Sequence, residues 1–195
     1  MANLKEIRNR IASVSSTMQI TSAMKMVSAA KLKKAQDAIT AMRPYADKLT
    51  ELLQGLSATL DADSGSKYSN QREVNNVLIV TVTSNRGLCG AFNSNIIKQV
   101  LQLIDNDYAG KKVSVFAIGK KGNDAYSKKG MVVANESSVF DDLTFENVAQ
   151  IAEALMEKFV SGEFDKIVLV YNKFKNAATQ IIMTEQYLPI VPIEQ

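Results

Sequence analysis

Apolar residues recur every seven positions between residues 4 and 60. One register reads Leu4, Ile11, Met18, Lys25, Leu32, Ile39, Ala46, Leu53 and Leu60. Its companion, three residues on, reads Ile7, Val14, Thr21, Ser28, Ala35, Met42, Leu49 and Leu56. Of these seventeen positions only Lys25, Thr21 and Ser28 are polar. Heptads sustained this long signal a helix supercoiled against another helix of similar length. At about 1.5 Å per residue it would span roughly 85 Å, far more than the width of a globular unit of this mass. The rest of the sequence carries only short helical patterns. The expectation is a shaft whose partner helix lies in another chain or beyond this sequence.

Two local features modify the shaft. Pro44 sits inside the pattern and should kink or weaken it, yet the register continues through Ala46 and Leu49. Between residues 20 and 30 a second apolar face appears with Ile20, Met24 and Val27, while Thr21, Lys25 and Ser28 occupy the seam. A helix apolar on more than one face is embedded among several neighbours, and methionines suit a surface that must fit more than one shape. A locally loose coiled coil is the alternative.

Composition narrows the chemistry. Among 195 residues there is no histidine and one cysteine, Cys89. The usual general base, the Ser-His-Asp arrangement and most zinc sites are therefore excluded, as is an intramolecular disulfide. A reducing, cytoplasmic setting is the simple expectation. The first residues lack the apolar core of a signal peptide, and no apolar run is long enough to cross a membrane. The net charge of +3 is uneven. Residues 1–48 hold nine basic side chains against Glu6, Asp37 and Asp47, a local +6, so the remainder carries −3. Such a stretch is either a solvated helix face or a footprint for an acidic partner.

After a polar run, residues 61–72, the rhythm changes. Residues 76–82 are a near-continuous apolar run, as in a strand buried on both faces. A loop leads to a helix carrying Ile96, Ile97, Val100, Leu101 and Ile104. Further strands are expected at 112–118, 131–134, 166–171 and 179–187, the last antiparallel because its connection is short. A helix over 144–161 would have Thr144 as N-cap, a staple between Leu143 and Val148, and Gly162 as its stop. This alternation predicts an α/β fold: a long N-terminal coiled-coil helix plus a small open, mostly parallel, Rossmann-like sheet flanked by helices. The expected domains are a shaft helix at 1–60, a linker at 61–74 and an α/β domain at 75–195.

Ligands of open parallel sheets bind at the carboxyl ends of strands. The first such loop here is Ser84-Asn85-Arg86-Gly87-Leu88-Cys89-Gly90-Ala91-Phe92-Asn93. Its glycines, arginine and following helix suggest an anion site, but it matches neither GxGxxG nor GxxxxGK[ST]. Cys89 without a histidine partner is a poor nucleophile candidate, and a small packing residue in a tight turn is the plainer reading. Gly119-Lys120-Lys121-Gly122 is either a phosphate contact or a solvated turn. Asp141-Asp142 is weak as a metal site because no further ligand clusters with it. No catalytic, cofactor or metal site is expected.

The runs Leu4-Lys5-Glu6-Ile7-Arg8-Asn9-Arg10-Ile11-Ala12-Ser13-Val14 and Thr17-Met18-Gln19-Ile20-Thr21-Ser22-Ala23-Met24-Lys25-Met26-Val27-Ser28-Ala29-Ala30-Lys31-Leu32 closely resemble the gamma subunit of F-type ATP synthase. So do Ser84-Asn85-Arg86-Gly87-Leu88-Cys89-Gly90 and Tyr171-Asn172-Lys173-Phe174. Ala91-Phe92 departs from a second glycine common in the family. The resemblance implies a non-catalytic central-stalk rotor that couples proton-driven ring rotation to ATP synthesis in the beta subunits. It implies alpha, beta and epsilon subunits and the c-subunit ring as partners, with the chain peripheral on the cytoplasmic side of the membrane. It also implies contact between Met24, Lys25, Lys31, Lys33 and Lys34, together with Arg86, Leu88 and Cys89, and an acidic lever of beta. The family's chain continues past Ile193 through a long C-terminal helix that pairs with the first. This sequence ends at Gln195, and self-association through the uncovered heptad stripe is the expected consequence.

Two rivals remain at this level. A nucleic-acid-binding coiled coil is disfavoured because the basic residues are spread through the heptads, with few aromatics for stacking. A nucleotide- or flavin-binding α/β enzyme with a dimerisation helix lacks a phosphate loop.

Overall fold

The computed structural model describes residues 3–59 and 67–191, in two compact units, Met1–Leu53 and Gln54–Gln195. Helix α1, Leu4–Thr59, runs 56 residues, about 84 Å at the usual rise. Asn3 starts it. Its side-chain oxygen accepts from Lys5 N at 3.3 Å, its carbonyl accepts from Glu6 N and Ile7 N, and Glu6 complements the positive end of the helix. The helix is continuous through Pro44. Proline has no N–H, so the Thr40 carbonyl loses its usual donor there.

The heptad stripe faces solvent along the first unit. Leu4, Ile7, Ile11, Met18, Leu32, Met42, Leu49 and Leu53 are exposed, Val14 is 69% exposed, and Ile39 is half-buried. Leu60, the last heptad position, lies outside the described residues, as do residues 61–66 of the expected linker. The polar seam residue Thr21 donates its hydroxyl to the Thr17 carbonyl at 2.8 Å, and Thr17 donates to Ser13 O at 2.9 Å. These hydroxyls are satisfied inside the helix. A partner covering the seam there would strand no donor.

The second unit is a five-stranded sheet in the order β3-β2-β1-β4-β5. Its strands are β1 (Asn76–Val82), β2 (Lys112–Ile118), β3 (Val132–Asn135), β4 (Lys166–Asn176) and β5 (Thr179–Leu188). Helices α2 (Phe92–Asp105), α3 (Lys120–Ser127) and α4 (Phe145–Val160) connect the first four. Every pairing is parallel except β4 with β5. That hairpin turns on Asn176, whose side-chain oxygen accepts from Ala178 N and Thr179 N, an Asx turn. The mixed α/β sheet flanked by helices agrees with the sequence expectation.

The central strand sorts its side chains to two cores, as the period of two requires. Val77 and Ile79 pack with Ile96, Val100 and Leu103 of α2 and Tyr126 of α3. Leu78 and Val80 pack with Leu155 and Phe159 of α4. All four β1 residues are fully buried, each contributing about 1.5–3 kcal/mol. Helix α4 begins where the sequence indicated, with Thr144 Oγ1 accepting from Asn147 N at 3.3 Å, and Leu143 and Val148 stay exposed. It stops before Gly162, whose φ of 81° is left-handed. Arg72 closes that end. Its Nη2 donates to the carbonyls of Phe159 and Phe164, and its guanidinium stacks 4.4 Å from the Phe159 ring centroid.

Candidate functional site

Strand order reverses at β1, so the switch point of the sheet lies between β1 and β4. The loop leaving β1 there is held closely. Thr83 N donates to Ile118 O at 2.8 Å, joining the ends of β1 and β2. Thr83 Oγ1 accepts from Gly122 N at 2.8 Å. Ser84 N donates to Asn93 Oδ1 at 2.9 Å, and Asn93 Nδ2 donates to Ser84 Oγ at 2.8 Å and to Cys89 Sγ at 3.2 Å. Asn93 therefore clips both ends of the loop from the first turn of α2. Asn172, in the Tyr171-Asn172-Lys173-Phe174 run, donates to Phe92 O at 2.9 Å and ties β4 to the same helix start.

Backbone pinned this way presents side chains outward. Leu88 is 106% exposed and has a φ of 61°. A non-glycine residue in that region costs about 1–2 kcal/mol, and such strain persists only where surrounding structure over-determines it. Arg86 is exposed beside it. Cys89 is exposed too. Its exposure differs from the packing residue expected of a tight turn, and its sulfur accepts from Asn93.

The loop leaving β2 is part of the same construction. Gly119 has a φ of 108°. Asn85 Oδ1 accepts from Lys120 N at 2.9 Å, and Ser84 O accepts from Lys121 N at 3.1 Å. Gly119-Lys120-Lys121-Gly122 is thus a packed junction rather than a solvated turn. Sequence reasoning missed Asn85, Asn93 and this junction. A signal existed for Asn93: it stands three residues before Ile96 on the buried face of α2, and a buried polar group needs partners.

In the first unit the five α1 candidates divide between faces. Spacings of four and three place Ile20, Met24, Val27, Lys31 and Lys34 on one face, with Ile20, Met24 and Val27 exposed. Lys25 lies in the seam with Thr21 and Ser28. Lys33 is rotated away and pairs with Asp37 at 2.8 Å. Both partners of that pair are solvent-exposed, so it contributes little. Lys25, Lys31 and Lys34 have no ion pair among the described residues. No group of three or more acidic or cysteine side chains is placed to hold a metal among the described residues. No described helix is long and apolar enough to cross a membrane.

A family model described as ATP synthase matches residues 3–195. The chain is 72% identical over 194 residues to the ATP synthase gamma chain of Flavobacterium psychrophilum, covering 100% of this chain and 68% of that protein. It is 71% identical to the ATP synthase gamma chain of Flavobacterium johnsoniae with the same coverage. Its fold is similar to the central stalk/c-ring of Tetrahymena thermophila mitochondrial ATP synthase, with a TM-score of 0.64 and 26% identity over 87% of this chain and 72% of that one.

Proposed function

Because the chain belongs to the gamma-chain family of ATP synthase, we propose that it serves as the central-stalk rotor, non-catalytic itself, that couples ring rotation to ATP synthesis in the beta subunits. The observation that carries the mechanical part is α1: a 56-residue helix whose apolar stripe faces solvent. A single helix of about 84 Å with an uncovered seam is a component, and it becomes a stiff shaft when a second helix covers that seam. Relatives are about half as long again, since the chain spans 68% of their length. Their additional segment is the natural source of that helix.

The shaft works inside the ring of alpha and beta subunits, and the α/β domain, 75–195, meets epsilon and the c-subunit ring. The chain is peripheral, on the cytoplasmic side of the membrane. Met24, Lys25, Lys31, Lys33 and Lys34, with Arg86, Leu88 and Cys89, contact beta. A rotating surface must release each partner in turn. Exposed lysines give attraction that salt screens, and methionine repacks easily; both suit transient contact better than locked bidentate pairs. Nucleotide chemistry then belongs to the ring subunits.

The test is reconstitution. This chain, and the same chain lengthened to the full length of its relatives, is mixed with alpha and beta subunits and ATP hydrolysis is measured. Hydrolysis in a stable complex with the lengthened chain supports the rotor. No complex and no activity with either form sinks it.

A further inference from the structure

We propose that the β1–α2 loop is the built-in ligand of α3: Thr83, Ser84 and Asn85 hold the helix N-terminus in place of a phosphate group and shut a latent phosphate site at the carboxyl edge of the sheet. The inference does not depend on the rotor reading.

The first turn of a helix leaves N–H groups with no partner inside the helix. In α3, Lys120, Lys121 and Gly122 each find one residue of the loop, in reverse order. Lys120 N donates to Asn85 Oδ1 at 2.9 Å, Lys121 N to Ser84 O at 3.1 Å and Gly122 N to Thr83 Oγ1 at 2.8 Å. The Thr83 hydroxyl in turn donates to Gly119 O at 3.3 Å. Oxygens set on successive backbone donors are what a phosphate offers at a helix N-terminus. Doubly wound folds that bind phosphate keep such donors free for it. This chain uses them to join two of its own loops.

A second observation marks the place as one suited to a polar ligand. Thr81, two residues before Thr83 on the same face of β1, is fully buried, and its hydroxyl has no hydrogen-bond partner. It is aimed at the same turn: a Cβ on Gly122 would stand 3.2 Å from Thr81 Oγ1 and 3.0 Å from Thr83 Oγ1. The charge also fits an anion. Lys120 and Lys121 stand in the turn itself, and Lys121 Cε lies 4.0 Å from the Cβ position of Gly87, next to Arg86. None of these three cations has an ion pair among the described residues. The acids of adjoining elements are Asp124 on α3 and Glu136 just after β3.

Asn85 is the latch of the closure. Thr83 is buried at the end of its strand, and Ser84 contributes a backbone oxygen, so neither yields easily. Asn85 acts through its side chain alone, steadied by a bond from its nitrogen to Ser137 O at 2.8 Å. The loop excludes a free anion because it is already tethered, whereas phosphate gives up translational freedom to bind. Removing the Asn85 side chain leaves Lys120 N–H without its acceptor, between two lysines.

The test titrates inorganic phosphate into the unaltered chain and into Asn85→Ala, with chloride at equal ionic strength as the control, and follows the backbone amide NMR shifts of residues 120–122. In the unaltered chain these amides should not respond to millimolar phosphate. In Asn85→Ala they should move saturably, with affinity about tenfold tighter than in the parent, the worth of one hydrogen bond to a charged group. Asn85→Asp keeps an acceptor on Lys120 N and adds a negative charge, so it should stay closed. Asn85→Ser, too short to reach Lys120 N, should open the site as alanine does and serves if the alanine variant does not fold. An equal phosphate response in the parent and the opened variants overturns the proposal, because the loop would then not be what excludes the anion. No response in either folded variant overturns it as well, because there would be no latent site. Phosphate binding by Asn85→Asp as tight as by Asn85→Ala would overturn the substitution of an asparagine oxygen for a phosphate oxygen.

Discussion

A Cβ placed on Gly119 would stand 2.0 Å from the carbonyl oxygen of Thr83. That close approach lets Thr83 accept from Gly122 N and seats the start of α3 against the end of β1. Gly119→Ala must push these segments apart, and its left-handed φ adds strain. The expected loss is about 3 kcal/mol or more. Gly130→Ala, at a φ of 68° but with nothing within 4 Å of the new atom, should cost only about 1–2 kcal/mol. Urea unfolding of the two variants side by side checks the ranking, and equal losses would show that strain alone, not the contact, limits position 119.

Arg72 closes the end of α4 and stacks on Phe159. Arg72→Ala removes donors from two carbonyls and a half-buried cation from an aromatic face, so a loss of about 2 kcal/mol is expected. Arg72→Lys should recover less than half of it, because an ammonium cannot reproduce the planar fork. Full recovery by lysine would show that charge alone matters.

Asp165 carries a pH dependence. Its carboxylate accepts from Asn76 N at 2.8 Å and Asn75 N at 3.0 Å. The Asn76 bond chiefly holds its pKa below the usual 3.8; desolvation opposes this, while Asn75 and the Arg72 charge assist. A depressed folded value means the stabilisation is present above the unfolded pKa and is lost as pH falls through the folded one. Asp165→Asn should therefore be less stable than the parent at neutral pH and converge with it below about pH 4. A constant gap down to pH 2 in denaturant titrations would refute the charge argument.

The uncovered stripe on α1 predicts self-association. At micromolar concentration sedimentation should find dimers or higher species, and Val14→Glu with Met18→Glu should return the chain to monomer by placing charges in the seam. A monomer whose first unit remains fully helical without those substitutions would contradict this.

Much of the fold was legible because its signals are local. The continuous apolar run ending at Val82 could only be a strand covered on both faces, and the structure buries Val77 through Thr81 completely. Thr144 and Gly162 marked the ends of α4 through their own backbone preferences. The short connection at residues 177–178 forced β5 to run antiparallel. The family was legible in the runs around Met24 and around Leu88, and both the family model and the relatives agree.

The loop junction was not legible in the same way. Asn85 looks like any turn asparagine, and its partners Lys120 and Ser137 lie 35 and 52 residues away. Lys120 and Lys121 read as a solvated turn because nothing local distinguishes such a turn from one packed on another loop.

The sequence by itself determined the long helix, the two-sided burial of β1 and the succession of elements, because helix and strand periods are properties of neighbouring residues. Only the tertiary structure decided that Asn85 and Asn93 clip the loops, that Leu88 is forced outward, and that Arg86 shares an edge with Lys120 and Lys121. Those relations depend on which strands lie side by side, and strand order is set by the packing of the whole sheet, not by any one segment.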